Sequence, residues 1–117
     1  MLFVLVTSAQ KGSTQPELGP DEFKAAIDRP GVQLIDVRTP NEYAAGHIPG
    51  STNIDWTAPD YETTFVKLDP DRPVLLYCAM GGRSEQALEY LISKGYKVQH
   101  LEGGFNAWKE EGGAVEK

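Results

Sequence analysis

Hydrophobic residues occur in this sequence as short, nearly continuous runs, separated by segments in which apolar positions repeat with a helical period. The runs at 32–37 and 74–78 are rich in branched side chains and do not alternate strictly with polar residues. This pattern is typical of strands that are buried on both faces of a sheet. Residues 97–101 form a third candidate strand.

Amphipathic segments between these runs predict helices. Residues 20–27 begin with a proline and two acidic residues, which suit a first helical turn, and their apolar residues share one face. Residues 83–94 show the same periodicity and are followed by Gly95, a natural C-terminal cap. A final short helix is expected through Phe105 and Trp108.

Another short helix is predicted to begin after Thr39. Thr39 and Glu42 have the spacing of a capping box, and Pro40 fits the first turn between them. Gly46 should end this helix soon afterwards. Strands that alternate with helices in this way predict an α/β domain built around a mainly parallel sheet. The segment 56–73 gives no clear pattern.

Size and charge narrow the possible partners. The chain has 117 residues, which fits one domain, and a formal net charge of −6. It contains no run of basic residues. Binding to nucleic acid depends on clustered Lys and Arg, and anionic membrane surfaces attract the same clusters. We therefore expect neither nucleic acid nor membrane among the partners.

The chain begins with a short apolar run that is followed by small residues, MLFVLVTSA. This run is shorter than the roughly 7–15 apolar residues of a signal peptide, and no basic residue precedes it. It is also far below the roughly 20 residues that span a bilayer. We expect an edge strand or a tail, and a cytoplasmic location. A periplasmic location stays open if residues 1–9 are the remnant of a signal peptide.

The single cysteine, Cys78, ends a predicted buried strand, where ligand sites of open parallel sheets usually lie. The following Gly81 and Gly82 allow a tight turn that directs backbone N–H groups inward, and the next helix begins at Arg83. N–H groups, a helix N-terminus and a guanidinium all favour a thiolate. Cys78 is therefore a candidate nucleophile, and the alternative is a structural core cysteine.

A metal site is not expected from this sequence. One cysteine and two isolated histidines, His47 and His100, do not have the number or spacing of metal ligands. No cofactor is expected either.

Four segments resemble the rhodanese family of sulfurtransferases. The sequence CAMGGR, beginning at Cys78, resembles the family's active-site loop, which reads Cys-x-x-Gly-x-Arg in many single-domain members. Asp36–Val–Arg38 resembles the Asp-x-Arg motif, and 46–54 (GHIPGSTNI) is similar to the Gly-His-Ile-x-Gly-Ala-x-Asn-Ile signature, with a serine in place of the usual alanine. The segment 103–108 is similar to the closing Gly-Gly…Ala-Trp motif.

The resemblance covers nearly the whole chain and implies a fold. It predicts a rhodanese-like three-layer α/β domain at 18–112, in which helices flank a mainly parallel central sheet. Residues 1–17 are then expected as an N-terminal tail or edge segment, and residues 113–117 as a C-terminal tail.

The resemblance also implies a reaction. Cys78 would take the outer sulfur of thiosulfate or a similar donor as a persulfide, and cyanide or a thiol would then accept it. A sulfur-relay protein is a possible further partner. The residues implied in substrate binding follow the nucleophile directly: Ala79, Met80, Gly81, Gly82, Arg83 and Ser84. Asp36, Arg38 and His47 are expected to support the site by fixing neighbouring loops.

Two other functions stay open at this point. Cysteine-based phosphatases resemble this site, but they have five residues between cysteine and arginine, whereas Cys78 and Arg83 have four between them. A shorter loop should be tight around a tetrahedral phosphate but adequate around one sulfur atom. A non-catalytic or sulfur-carrier module is the second alternative, because rhodanese-like domains also serve in docking and regulation.

Overall fold

The computed structural model describes residues 15–117, so the predictions for residues 1–9 lie outside the described part of the chain. Within that part the chain forms five strands and five helices. The strands are β1 (Glu17–Leu18), β2 (Gln33–Asp36), β3 (Thr52–Asn53), β4 (Val74–Tyr77) and β5 (Val98–Leu101). The helices are α1 (Pro20–Ile27), α2 (Pro40–Ala45), α3 (Tyr61–Phe65), α4 (Gly82–Ser93) and α5 (Gly104–Glu110).

The five strands form one sheet in the order β1-β5-β4-β2-β3. Each neighbouring pair is parallel, so the predicted mainly parallel sheet is confirmed. The central strand β4 pairs with β2 and with β5, and its Leu76 stands opposite Ile35 on one side and His100 on the other. The carboxyl end of β4, where Cys78 follows, therefore lies in the middle of the sheet.

The sheet separates two apolar cores, which confirms the predicted three layers. Leu75 and Tyr77 of β4 point into a core with Phe23 of α1 and Trp108 of α5. The other core, which α3 and α4 cover, contains Cys78 and the two remaining β4 residues, Val74 and Leu76. Because successive strand residues face opposite sides, a strand buried on both faces must be apolar at nearly every position.

Most predicted elements are present with small shifts of their ends. Helix α1 has the predicted bounds, and α4 begins and ends one residue before the prediction. The capping box of α2 is confirmed, because the Thr39 hydroxyl accepts the Glu42 N–H and the Glu42 carboxylate accepts the Thr39 N–H. The unassigned segment 56–73 contains the short helix α3.

Residues 113–117, predicted as a tail, are hydrogen-bonded to the domain. Glu116 and His47 exchange two backbone hydrogen bonds of 2.8 Å in an isolated antiparallel bridge. The indole N–H of Trp108 donates to the Ala114 carbonyl at 2.8 Å. No helix between residues 15 and 117 is long and apolar enough to cross a membrane.

Candidate active site

Strand β4 places Cys78 at the carboxyl end of the sheet, where the chain turns tightly into α4. Gly81 makes this turn possible, because its φ of +113° is a backbone conformation that residues with a Cβ rarely adopt. The thiol lies under the loop, and Cys78 is only 1% exposed. Met80, at the loop's rim, is 74% exposed.

Hydrogen-bond donors of the loop converge on the sulfur of Cys78. The backbone N–H of Gly81 donates to Sγ at 3.0 Å, and that of Ser84 donates at 3.3 Å. The Ser84 hydroxyl oxygen lies 3.5 Å from Sγ. The loop thus forms a nest of donors around one atom, an arrangement that stabilises negative charge at that atom.

The environment of Cys78 changes its acidity in two opposing ways. Burial raises the pKa of the thiol, because removing the sulfur from water disfavours its charged form. Hydrogen bonds from the Ser84 side chain and from the backbone of Ser84, Gly81 and Met80 lower it, and the net pKa lies below the usual cysteine value. The fraction of thiolate at neutral pH is therefore raised.

Arg83 is held by an acidic side chain from another helix. Its two terminal nitrogens donate to the two carboxylate oxygens of Glu42, at 2.8 and 2.9 Å. The hydrogen bonds from Arg83 lower the pKa of Glu42 to about 2 against the opposing effect of burial, and Thr39 adds to this lowering. The same hydrogen bonds raise the pKa of Arg83. Glu42 thus balances the arginine's charge.

The Asp36 and Arg38 side chains form a buried ion pair beside the site. Arg38 donates to both carboxylate oxygens of Asp36, with a shortest distance of 2.7 Å, and also to the Gly46 carbonyl at 2.7 Å. The guanidinium lies over the Phe105 ring, 4.4 Å from its centroid. The pair therefore ties the end of β2 to the turn that follows α2.

His47 lies in that same turn, and its ring contacts Tyr43. Its Nδ1 is 2.8 Å from the Tyr43 carbonyl, and its ring stacks on that of Tyr43 with 3.8 Å between centroids. Ser51, which departs from the family's usual alanine, bonds the Ile48 carbonyl at 2.7 Å and the Tyr77 hydroxyl at 3.1 Å. These contacts shape the scaffold under the loop.

The start of helix α5 holds the backbone of the cysteine loop. The N–H of Phe105 donates to the Cys78 carbonyl at 2.7 Å, and that of Asn106 donates to the Ala79 carbonyl at 3.1 Å. Gly104 allows this approach, because a Cβ there would lie 2.5 Å from backbone atoms of Ala79. The short helix through Phe105 and Trp108 was predicted, but no local signal showed that its start fixes the cysteine loop.

Comparison with known proteins identifies the family. The family model described as Rhodanese-like domain matches residues 19–111. The chain belongs to the rhodanese family.

Curated relatives of this rhodanese-like domain carry the name of an enzyme. The chain is 35% identical over 92 residues to thiosulfate sulfurtransferase GlpE of Stutzerimonas stutzeri, an alignment that covers 77% of this chain and 82% of the relative. It is 36% identical over 90 residues to the protein of the same name in Pseudomonas entomophila, covering 75% and 80%.

Solved structures agree with this family. A rhodanese-related protein from Thermoplasma volcanium superposes with a TM-score of 0.79 at 29% identity, covering 87% of this chain and 98% of that one. A rhodanese-like domain protein from Staphylococcus aureus gives a TM-score of 0.74 at 30% identity, covering 88% and 100%. The predicted rhodanese-like fold is confirmed.

The structure gives His100 of this rhodanese-like domain a partner that the sequence did not suggest. His100 is 2% exposed, and its Nδ1 lies 2.8 Å from the Ser84 hydroxyl, which in turn neighbours Cys78. The two residues are 16 positions apart, on β5 and α4, so no local motif reports their contact. Within residues 15–117, no cluster of three or more His, Cys, Asp or Glu side chains could hold a metal ion.

Proposed function

We propose that this chain is a sulfurtransferase that moves a sulfane sulfur from thiosulfate or a similar donor to a thiol or cyanide. The observation that carries the proposal is the convergence of the Gly81 and Ser84 N–H groups and the Ser84 hydroxyl on Sγ of Cys78. Membership of the rhodanese family and relatives named thiosulfate sulfurtransferase support the same reaction.

The proposed reaction has two displacement steps. The Cys78 thiolate attacks the outer sulfur of thiosulfate, the sulfur–sulfur bond of the donor breaks, and sulfite leaves with its electron pair. Cyanide or a thiolate then attacks the outer sulfur of the enzyme persulfide, forming thiocyanate or a new persulfide and restoring the Cys78 thiolate. Each step conserves charge and needs no oxidant, and together they form a ping-pong cycle.

The persulfide form of Cys78 carries its charge on a different atom from the thiolate. An anionic persulfide places its charge on the outer sulfur, one bond beyond the position that the loop N–H groups now surround. We assign substrate binding around this outer sulfur to the loop residues Ala79, Met80, Gly81, Gly82 and Ser84. Arg83 uses two of its five N–H donors on Glu42, which leaves others for an anionic donor molecule.

Access to the thiol favours sulfur transfer over phosphoryl transfer. Cys78 is almost enclosed, and four residues separate it from Arg83. A single outer sulfur atom at the end of thiosulfate needs less space around Sγ than a tetrahedral phosphorus with its oxygens.

A free thiol nucleophile also suits a reducing compartment, and we propose the cytoplasm as the location of this protein.

The test is intact-protein mass spectrometry after incubation with thiosulfate, together with an assay of released sulfite. We expect the parent protein to gain one sulfur atom, which cyanide or a dithiol removes, and the Cys78→Ser variant to gain none. Equal sulfur on both proteins would overturn the assignment of Cys78.

Two further outcomes separate the alternatives. If thiosulfate leaves the thiol of a folded protein unchanged but a protein persulfide loads it, the chain is a sulfur carrier rather than a thiosulfate enzyme. Hydrolysis of an aryl phosphate that disappears in Cys78→Ser would favour a phosphatase instead.

A further inference from the structure

A buried line of polar side chains connects the nucleophile to the edge of the sheet. From the Cys78 sulfur it runs 3.5 Å to the Ser84 hydroxyl oxygen and then 2.8 Å to Nδ1 of His100. On the far side of the imidazole, Nε2 lies 3.5 Å from a carboxylate oxygen of Glu17. Ser84 and His100 are buried, whereas the Glu17 side chain is 52% exposed.

The sheet fixes the position of this histidine. His100 stands opposite Leu76 of β4 and opposite Glu17 of β1 in the register of the parallel strands. Its backbone N–H also donates to the Pro16 carbonyl at 2.9 Å. The imidazole therefore has little freedom to move, and both ring nitrogens lie close to a polar partner.

The single proton of the Ser84 hydroxyl limits how the line can be arranged. Its oxygen has three polar neighbours: Sγ, Nδ1 of His100 and the Gly81 carbonyl at 3.2 Å. When Cys78 is a thiolate, the hydroxyl stabilises it by donating a hydrogen bond to Sγ. The oxygen is then left as an acceptor, and Nδ1 must carry a proton to bond it.

The opposite side of the ring faces an acidic side chain. Nε2 faces the carboxylate of Glu17, which accepts a hydrogen bond only if Nε2 carries hydrogen. While the Ser84 hydroxyl donates to the thiolate, only an imidazolium can donate to Ser84 and Glu17 together. In the thiol state the neutral Nε2–H tautomer serves both, because Nδ1 then accepts the Ser84 hydroxyl. The thiolate of Cys78 and the protonated form of His100 therefore stabilise each other across Ser84.

We propose that His100 is a positioning residue for the nucleophile, holding the Ser84 hydroxyl as a donor to the thiolate and taking up the thiol proton through Ser84. In this transfer the S–H bond of Cys78 breaks and its proton passes to the Ser84 oxygen. The original hydroxyl proton moves to Nδ1, which leaves a thiolate and an imidazolium. The proposal uses the proposed function only in making Cys78 the nucleophile.

Few other charged groups face this line. Glu17 of β1 lies at the His100 end of the line. The charge of Arg83 in α4 interacts with Cys78, but Glu42 balances that charge. The neighbour from β4 is the apolar Leu76. Besides the backbone N–H groups of the loop, the side chains along this line that can change the pH response of Cys78 are Ser84, His100 and Glu17.

The first experiment measures the rate of Cys78 alkylation by iodoacetamide across pH, a readout that does not require sulfur transfer. We expect His100→Leu to raise the midpoint of the profile by about one unit and to slow alkylation near neutral pH about tenfold. In His100→Asn the amide N–H replaces the Nδ1 donor but cannot take up a proton. We expect its midpoint to lie between those of the parent and the leucine variant.

Introducing His100→Leu into both the parent and Ser84→Ala tests whether its effect on the midpoint passes through Ser84. In Ser84→Ala the bridge is absent, so adding His100→Leu should change the midpoint no further. An equal shift in both backgrounds, or unchanged midpoints in His100→Leu and His100→Asn, would overturn the proposal.

A second measurement avoids any change at the buried histidine and decides the matter if His100→Leu does not fold. Nuclear magnetic resonance of isotope-labelled imidazole nitrogens follows the titration of His100 in the parent and in Cys78→Ser, which cannot form a thiolate. We expect His100 to stay protonated to higher pH in the parent, and identical titrations would overturn the proposal. If the parent transfers no sulfur but shows these pH shifts, the proposed function is contradicted, whereas the role of His100 still holds.

Discussion

The Arg83 guanidinium and the Glu42 carboxylate form a two-point ion pair that joins α4 to α2 across 41 positions of sequence, with distances of 2.8 and 2.9 Å. The same carboxylate accepts the backbone N–H of Thr39 and so caps α2. One side chain thus begins one helix and fixes the arginine of the cysteine loop. The orientation and effective charge of Arg83 depend on a residue far outside the loop motif.

This pair predicts opposite effects of two substitutions on thiosulfate binding. Arg83→Ala removes a positive charge near the donor and should raise KM about two- to fivefold, with a smaller effect on kcat. Glu42→Gln leaves the arginine unbalanced and should lower KM by a similar factor, in line with the roughly 0.2–1 kcal/mol of partly exposed ion pairs. Steady-state kinetics with thiosulfate and cyanide measures both changes.

The control for these kinetics is Glu62→Gln. Glu62 lies with Tyr90 and Lys94 around a cavity at the other end of α4, so it changes the net charge equally without touching the loop. Its KM should equal that of the parent. If Glu42→Gln and Glu62→Gln shift KM equally, the effect comes from net charge and the prediction fails.

The lowered pKa of Glu42 predicts a loss of stability in acid. A carboxyl group whose pKa falls from 4.5 to about 2 on folding stabilises the folded state fully above pH 4.5, and this contribution disappears as the pH falls toward 2. Urea unfolding across this range should show the parent losing its advantage over Glu42→Gln. Glutamine keeps the capping-box spacing, so the comparison isolates the charge. A pH-independent difference between the two proteins would contradict the prediction.

The approach of α5 to the cysteine loop predicts a strong effect of Gly104→Ala. The added Cβ would meet backbone atoms of Ala79, which cannot move aside as a flexible side chain can, and φ is +64°. We expect a free energy of unfolding about 1–3 kcal/mol lower than in Gly95→Ala. Gly95 also has a positive φ, of +92°, but a Cβ there meets nothing within 4 Å. Equal destabilisation in urea would show that the close approach is unimportant.

The alkylation rate of Cys78 gives the second readout of the same variants. Displacing Ala79 should also disturb the hydrogen bond from Phe105 to the Cys78 carbonyl, so Gly104→Ala should slow the reaction. Gly95→Ala should leave it unchanged, because it lies at the far end of α4.

Helices and strands were predictable where the residues that favour them lie within one segment of the chain. Helix α1 has a proline at its start and a regular apolar face, and its predicted bounds match. Strand β4 is apolar at every position, as burial on both faces requires. Strand β3, by contrast, has two residues, Thr52 and Asn53, neither of them hydrophobic, and exists because it pairs with β2. Pairing with a distant strand leaves no periodic signal in so short a segment.

The α/β class, the parallel sheet and the cysteine loop were predictable from the sequence, because they depend on local periodicity and on residues adjacent in the chain. Three contacts became visible only in the folded chain: Glu42 balances Arg83, Gly104 allows α5 to hold the loop, and His100 reaches Cys78 through Ser84. Each of these contacts joins residues on different elements, 16 to 41 positions apart. Their distances follow from how the helices pack on the sheet, which no single segment of the chain encodes.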